Sequence, residues 1–365
     1  MTKHNLQLLD LYTDYLLASF GPTTATGLSR LVPEVSHDQI TRFLSQETLR
    51  DRDLWKLIKK DVRAIESAEA SLIIDDSVQE KPYTDESELI SWHYDHSLGR
   101  VVKGINLLSA LYFSQGISLP VGFELIQKTQ LVTDPKTGKD KWVCPQTKNE
   151  LARALIARTV QKQIPFRFVL CDLWFASAQN MVFIKGKLKK EFVMPLKSNR
   201  RVALSESDRD KGRWTSLASL KLKSGSSLVL YLEGVPFPLL VSCQVFINED
   251  GKEGSLVLAC SDTTLQESSL FSIYQKRWKV EEYHKSLKQN AAFAKSPTKL
   301  PQTQQNHIFA SLVAFCKLES YRVQTKLGHF AFKAKLYHAA LNSAFEQLKQ
   351  LQLKCDLNPY HNSTA

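Results

Sequence analysis

The chain has 365 residues, 43% of them hydrophobic, enough for one large domain or two to three smaller ones with a real core. Lys and Arg number 48 against 37 Asp and Glu, and the net charge of +11 points to a polyanionic partner, nucleic acid before anionic membrane. No apolar run approaches the ~20 residues of a membrane span, and the first residues, MTKHNLQLLDLYTDYLL, lack signal-peptide architecture.

Residues 5–70 read as helices. LQLLDLYTDYLLASF is amphipathic, and after Gly21-Pro22 two short segments, TTATGLSRLV and SHDQITRFL, flank a turn at Pro33-Glu34-Val35. Ser36 is placed to cap the second segment, and the pair resembles a helix-turn-helix whose second helix could enter a major groove. At 71–76 the pattern changes to SLIIDD, an apolar strand ending in two carboxylates. GINLLSALYF (104–113) and ISLPVGFELI (117–126) follow as strands joined by Ser-Gln-Gly, making a three-strand meander. A polar loop covers 127–147. TKNELARALIARTVQKQ (147–163) has helical spacing, and FRFVLCDLWF (166–175) reads as an apolar strand carrying Asp172. A Lys- and Arg-rich stretch spans 183–201, residues 192–260 look mostly β, and 305–350 are helical again, with a tail after Pro359 expected to lack order. The six cysteines, Cys144, Cys171, Cys243, Cys260, Cys316 and Cys355, form no C-x-x-C pair. They read as reduced, mainly buried thiols of a cytoplasmic protein, not as a zinc site.

The most informative stretch is 274–288, YQKRWKVEEYHKSLK. At about 100° per helical residue, Tyr274, Arg277, Glu281 and Lys288 fall within roughly 60° of one another, and Lys285 joins them. Ile273, Val280 and Leu287 lie opposite, so one face packs while the other presents a tyrosine, three cations and one carboxylate. Glu282 lies about 100° round from Glu281, outside this stripe. A carboxylate among cations suits a metal ion and a phosphate. Asp75 or Asp76, at the end of the first strand, and Asp172 on the fourth could join Glu281 around two Mg²⁺ ions. Magnesium takes hard oxygen ligands and leaves positions for water and phosphate. Unneutralised, the three carboxylates would repel one another.

These residues carry a family resemblance. Y-x2-R-x3-E-x6-K, filled by Tyr274, Arg277, Glu281 and Lys288, resembles the YREK signature of bacterial cut-and-paste transposases of insertion-sequence family four, and IIDDS and VLCDLWF resemble that family's two aspartate motifs. The resemblance covers about 70–320. It implies a ribonuclease H-like α/β core, a mixed sheet with a β-rich insertion between the second aspartate and the glutamate, flanked by helical regions at both ends. It implies a DDE triad in which the first aspartate precedes a hydroxyl residue, which selects Asp76, before Ser77, with Asp172 and Glu281 as catalytic and metal-binding partners. Tyr274, Arg277 and Lys288 would hold DNA-end phosphates, helped by Lys285, and Trp214 is the candidate for stacking a flipped base.

The expected domains are a DNA-end-binding helical region at 1–70, core at 71–190, β-rich insertion at 191–265, core with the YREK helix at 266–320, and C-terminal helices and tail at 321–365. Expected cofactors are two Mg²⁺ ions, for which Mn²⁺ can substitute. Expected partners are double-stranded DNA, as terminal inverted repeats and target, and a second copy of the chain in a synaptic homodimer, acting at the bacterial nucleoid and at no membrane. The alternatives are an inactive domesticated DNA-binding protein and a ribonuclease H-like nuclease of other purpose. His93 and His96, beside Asp95, are read as structural or DNA-contacting residues before metal ligands, and His284 as a packing or phosphate-side residue.

Overall fold

The computed structural model describes residues 1–95, 98–135, 137–247, 251 and 253–354. Four helices come first: α1 (Lys3–Ala18), α2 (Ala25–Leu31), α3 (His37–Gln46) and α4 (Asp51–Ala64). Thr2, Thr24 and Ser36 cap the first three, and Ser36 forms a reciprocal capping box with Gln39.

The sheet starts with β1 (Ser71–Glu80), β2 (Ser91–Asp95), β3 (Arg100–Ser114) and β4 (Ile117–Leu125). A separate hairpin, β5 (Gln130–Thr133) and β6 (Asp140–Val143), occupies the segment read as a polar loop. Helix α5 (Lys148–Gln161) then leads to β7 (Phe168–Cys171). A short helix α6 (Ala178–Met181) continues through a π-helical turn, Val182–Lys187, to β8 (Glu191–Pro195). Next come β9 (Arg201–Ala203), α7 (Glu206–Asp210), β10 (Thr215–Ser216), β11 (Ser226–Leu232), β12 (Pro238–Ile247) and β13 (Glu253–Cys260). The chain ends in α8 (Glu267–Gln275), a 3-10 turn at Lys276–Trp278, α9 (Lys279–Gln289), α10 (Pro301–Thr325) and α11 (His329–Lys354).

All strands outside the β5–β6 hairpin join one sheet, in the order β10-β9-β11-β12-β13-β8-β7-β1-β3, with both β2 and β4 on the far edge of β3. Within it, β3 is antiparallel to β1 and to β4, whereas β7 is parallel to β1 and β8 parallel to β7. This is the ribonuclease H-like mixed sheet. Strand β8 belongs to its parallel part, and the antiparallel strands β9–β13 extend the same sheet by pairing β13 with β8.

The two faces of the sheet are distinct. Gly122 on β4 pairs with Ala110 on β3, and a Cβ there would meet Leu155 of α5 and Asp51 of α4. The neighbouring residue, Ser109, faces the other way and bonds the Tyr283 hydroxyl of α9 at 3.2 Å. Phe123, its partner on β4, meets Phe309 of α10 on the same side. Helices α4 and α5 therefore cover one face of the core, and α9 and α10 the other. Burial of Leu72, Ile73 and Ile74 of β1, all at 0–1% exposure, holds the first strand between these layers.

Candidate active site

Strand pairing decides where the carboxylates stand. Ile74 of β1 is in register with Cys171, the last residue of β7. One step further, Asp75 and Asp172 come side by side where β7 ends and β1 continues to Glu80. Asp172 lies just past its strand, not on it. Its Oδ1 accepts the backbone N–H groups of Trp174 (3.0 Å) and Phe175 (3.2 Å), which turns the chain away from the sheet. Asp75 pairs with Ser109 and so faces α9; Asp76 pairs with Leu108 and faces α5.

The stripe on 274–288 is not one continuous α-helix. The 3-10 turn at Lys276–Trp278 tightens the chain between α8 and α9 and changes the angle between Tyr274 and the residues beyond it. Arg277, Glu281, Lys285 and Lys288 still line a single groove of about 720 Å³ with Asp75, Asp76, Asp172 and Trp174. Tyr274 sits beneath them, its hydroxyl donating to the Cys171 carbonyl at 3.3 Å. Val280 and Leu287 are buried as the apolar side of the helix. Glu282 turns elsewhere and pairs with Lys279 at 2.8 Å. Lys285 Nζ stands 5.3 Å from the Phe330 ring, and Lys288 Nζ donates to the Val78 carbonyl at 2.8 Å, tying α9 to β1.

Charge is unevenly balanced in this groove. Burial, then the Asp172 and Asp76 carboxylates, push Asp75 from its ordinary 3.8 up to about 8. Asp172 is raised as well, by burial and then by Asp76, although the two N–H groups it accepts oppose the rise. Glu281 is bound to Arg277 at 2.7 Å. Among the described residues, no group of three or more His, Cys, Asp or Glu is gathered closely enough to hold a metal ion. The donor chemistry nevertheless suits a hard divalent cation: Asp75 and Asp172 both stay raised although Arg277 opposes the rise, and Glu281 would join them by leaving Arg277.

Asn106, Lys148 and Trp174 escaped the sequence reading. Asp76 Oδ2 accepts from Asn106 Nδ2 at 2.8 Å and from Lys148 Nζ at 2.7 Å. Trp174 is 51% exposed on the groove, with Lys148 Nζ 5.9 Å from its ring. His284 is buried in the groove wall, where burial and then Lys288 bring it down to about 3, keeping the imidazole neutral. Trp214, expected to stack a base, is half-buried ahead of β10 and outside the groove residues. His93 is buried and bonds Ser91 at 3.0 Å, and His96 lies outside the described residues, as does Cys355. The five described cysteines are free. Among the described residues, no helix is long and apolar enough to cross a membrane. A second groove, of about 650 Å³ between α4, β4 and α10, carries Arg50, Arg52 and Arg158 but stands apart from the carboxylates.

The comparison with curated proteins finds no match. Among solved structures, the chain is similar to the Drosophila P element transposase in its strand transfer complex, at 13% identity and a TM-score of 0.25. That match covers 50% of this chain and 36% of the length of the other. A family model, the DDE superfamily endonuclease, matches residues 2–220, a range that includes Asp75, Asp76 and Asp172 and stops before Glu281. With more than half of its length so matched, the chain belongs to the DDE superfamily endonuclease family.

Proposed function

We propose that the chain is a transposase of the insertion-sequence family four type, which cleaves the ends of a mobile element and joins the freed 3′-hydroxyl to target DNA. The observation that carries this reading is the side-by-side placement of Asp75 and Asp172 at the end of β7, opposite Glu281 on α9. Sequence resemblance selected Asp76 for the first position; register and facing favour Asp75 instead. Asp75, Asp172 and Glu281 would hold two Mg²⁺ ions, with Mn²⁺ as substitute. Bound there, the ions supply Lewis acidity for an in-line phosphoryl displacement.

The chain's own residues do the rest. Asp75 and Asp172 present two carboxylates already aligned by the sheet. Arg277 holds Glu281 in the free protein and, once released, would be available in the groove for a phosphate. Lys285 and Lys288 place positive charge along the same wall, which positions a DNA strand and offsets charge that builds on its phosphate. Tyr274 braces the helix against β7. Helices α1–α4 would read terminal inverted repeats, with α2 and α3 as the helix pair. Two copies would pair two ends, and the exposed Phe345, Leu348 and Leu351 of α11 offer a surface for that pairing.

Replacing Glu281 with Gln tests the reading. DNA binding should persist while Mg²⁺-dependent cleavage disappears; full cleavage by that variant would end the assignment. The family's description as an endonuclease favours one second reading, cleavage without strand transfer. Supplying a supercoiled target together with a pre-cut 3′-hydroxyl end separates the two, since only a transposase yields joined product.

A further inference from the structure

The adjacent aspartates of β1 have different partners, and the difference assigns them different work. Asp75 faces α9 beside Asp172, and among the described residues Arg277 is the cation that pulls it down. Asp76 faces the α5 side, and its Oδ2 is taken by two donors, Asn106 Nδ2 and Lys148 Nζ. Donors on two other elements, β3 and α5, thus hold the Asp76 carboxylate to the α5 side, whereas Glu281 is held by Arg277, four residues before it on the α9 side. Lys148 is itself out of place by local rules. It is the first residue of a 14-residue helix whose N-terminus is otherwise well built, with Thr147 and Glu150 in a capping box. The positive end of the helix disfavours a cation at that position. Residues that break a local rule and are held by a partner on another element concentrate at functional or strained positions.

Resting on the transposase reading above, we propose that Lys148 is a DNA-phosphate contact on the α5 side of the groove, and that Asp76 is its positioning residue instead of a metal ligand. The strand would then run past Arg277, Lys285 and Lys288 in the groove, with Lys148 at the N-terminus of α5 just beyond the groove's Asp76 and Trp174. The Trp174 ring, 5.9 Å from Lys148 Nζ, bounds the reach of the lysine and keeps it beside the carboxylates. Asn106 holds Asp76 from the β3 side, so the carboxylate stays aimed at α5 when Lys148 turns to the phosphate.

Two measurements on the full chain test this. The first is binding to a labelled mixed-sequence 40-base-pair duplex without divalent metal, over a series of salt concentrations. One lost phosphate contact lowers the slope of log affinity against log salt by about 0.9. Lys148→Met should show that drop, Lys148→Arg should restore it, and Asp76→Asn should resemble Lys148→Met, with the double variant no worse than either. In cleavage assays Lys148→Met should raise KM more than it lowers kcat. The second measurement is Mn²⁺ binding followed by electron paramagnetic resonance, where Asp76→Asn should stay within about threefold of the parent while Asp75→Asn loses at least about tenfold, or about 1.4 kcal/mol. An unchanged salt slope in Lys148→Met, or equal loss of Mn²⁺ in the two aspartate variants, overturns the proposal. A parent protein that binds no Mn²⁺ overturns the metal-site reading instead, and the salt slope still decides the role of Lys148.

Discussion

Replacing Asp75 with Asn should stabilise the metal-free protein at neutral pH and flatten its stability between pH 5 and 7. Asp75 is raised from 3.8 to about 8 by burial and by the Asp172 and Asp76 carboxylates. An acid raised on folding keeps its proton in the native state while the unfolded chain has lost it. The native state then binds more protons, so stability falls as pH climbs from the unfolded value near 4 towards the folded value near 8. Two pH units inside that window correspond to roughly 2.7 kcal/mol at ~1.4 kcal/mol each. Partial exposure of the carboxyl and the nearby Arg277 reduce this to about 1–2 kcal/mol. Asparagine keeps an oxygen for the Asp76 N–H, which Asp75 Oδ1 now accepts at 2.9 Å, so the fold loses little else. Urea unfolding of parent and variant at pH 5, 6 and 7 in EDTA measures the difference, and millimolar Mg²⁺ should then stabilise the parent and not the variant. Parallel stability curves for the two proteins across that range would refute the argument, because Asp75 would then titrate as an ordinary acid.

Other consequences can be checked independently. Gly104→Ala would place a Cβ 2.2 Å from the Gln79 carbonyl oxygen, inside the β1–β3 ladder; a loss of at least about 3 kcal/mol is expected in urea unfolding, and a loss below 1 would mean the ladder there gives way. His329→Ala removes the ring that bonds Ser286 at 2.8 Å and stands 3.0 Å from Glu319, leaving two buried polar groups short of a partner. A cost of about 2–3 kcal/mol should lower the melting temperature by several degrees. Leu348→Glu tests pairing through α11. Leu341, Ala344, Leu348 and Leu351 recur at coiled-coil spacing, and the flanking Ala340, Phe345, Gln347 and Gln352 set no like charges against a second copy, so light scattering should show a concentration-dependent dimer that the variant lacks. A parent protein that stays monomeric at every concentration, with and without DNA, would rule this pairing out.

Much of the architecture was legible because burial imposes a period. The apolar runs around Leu72, Leu111 and Leu170 gave three of the core strands, and helical spacing gave α5. Strand β2 escaped because its pattern is inverted: Ser91 and His93 are buried against each other while Trp92 and Tyr94 stand half-exposed. A pattern reader expects the aromatics inside. Trp174 escaped for a related reason. FVLCDLWF reads as one apolar strand, but the Asp172 carboxylate captures two backbone N–H groups and turns the chain, leaving Leu173 and Trp174 42% and 51% exposed.

The choice between Asp75 and Asp76 shows where local sequence runs out. Neighbours on a strand face opposite ways, and nothing in IIDDS says which way is inward. The proposal of Asp75 rests on a residue almost a hundred positions later, since Cys171 in register with Ile74 sets Asp172 beside Asp75. Helix α9 then covers the same face, which the Ser109–Tyr283 hydrogen bond fixes. Once that face is assigned, the other aspartate is committed to α5, where a lysine at a helix N-terminus needs a carboxylate. The β1–β7 register and the β1–β3 pairing together therefore set Asp75 and Asp172 on the α9 side and the Asp76–Lys148 pair on the other. Moving the β7 register by one residue would set Asp172 beside Asp76 on the α5 face, away from Glu281, so Asp76 could not take the place of Asp75 without rebuilding the strand pairing itself.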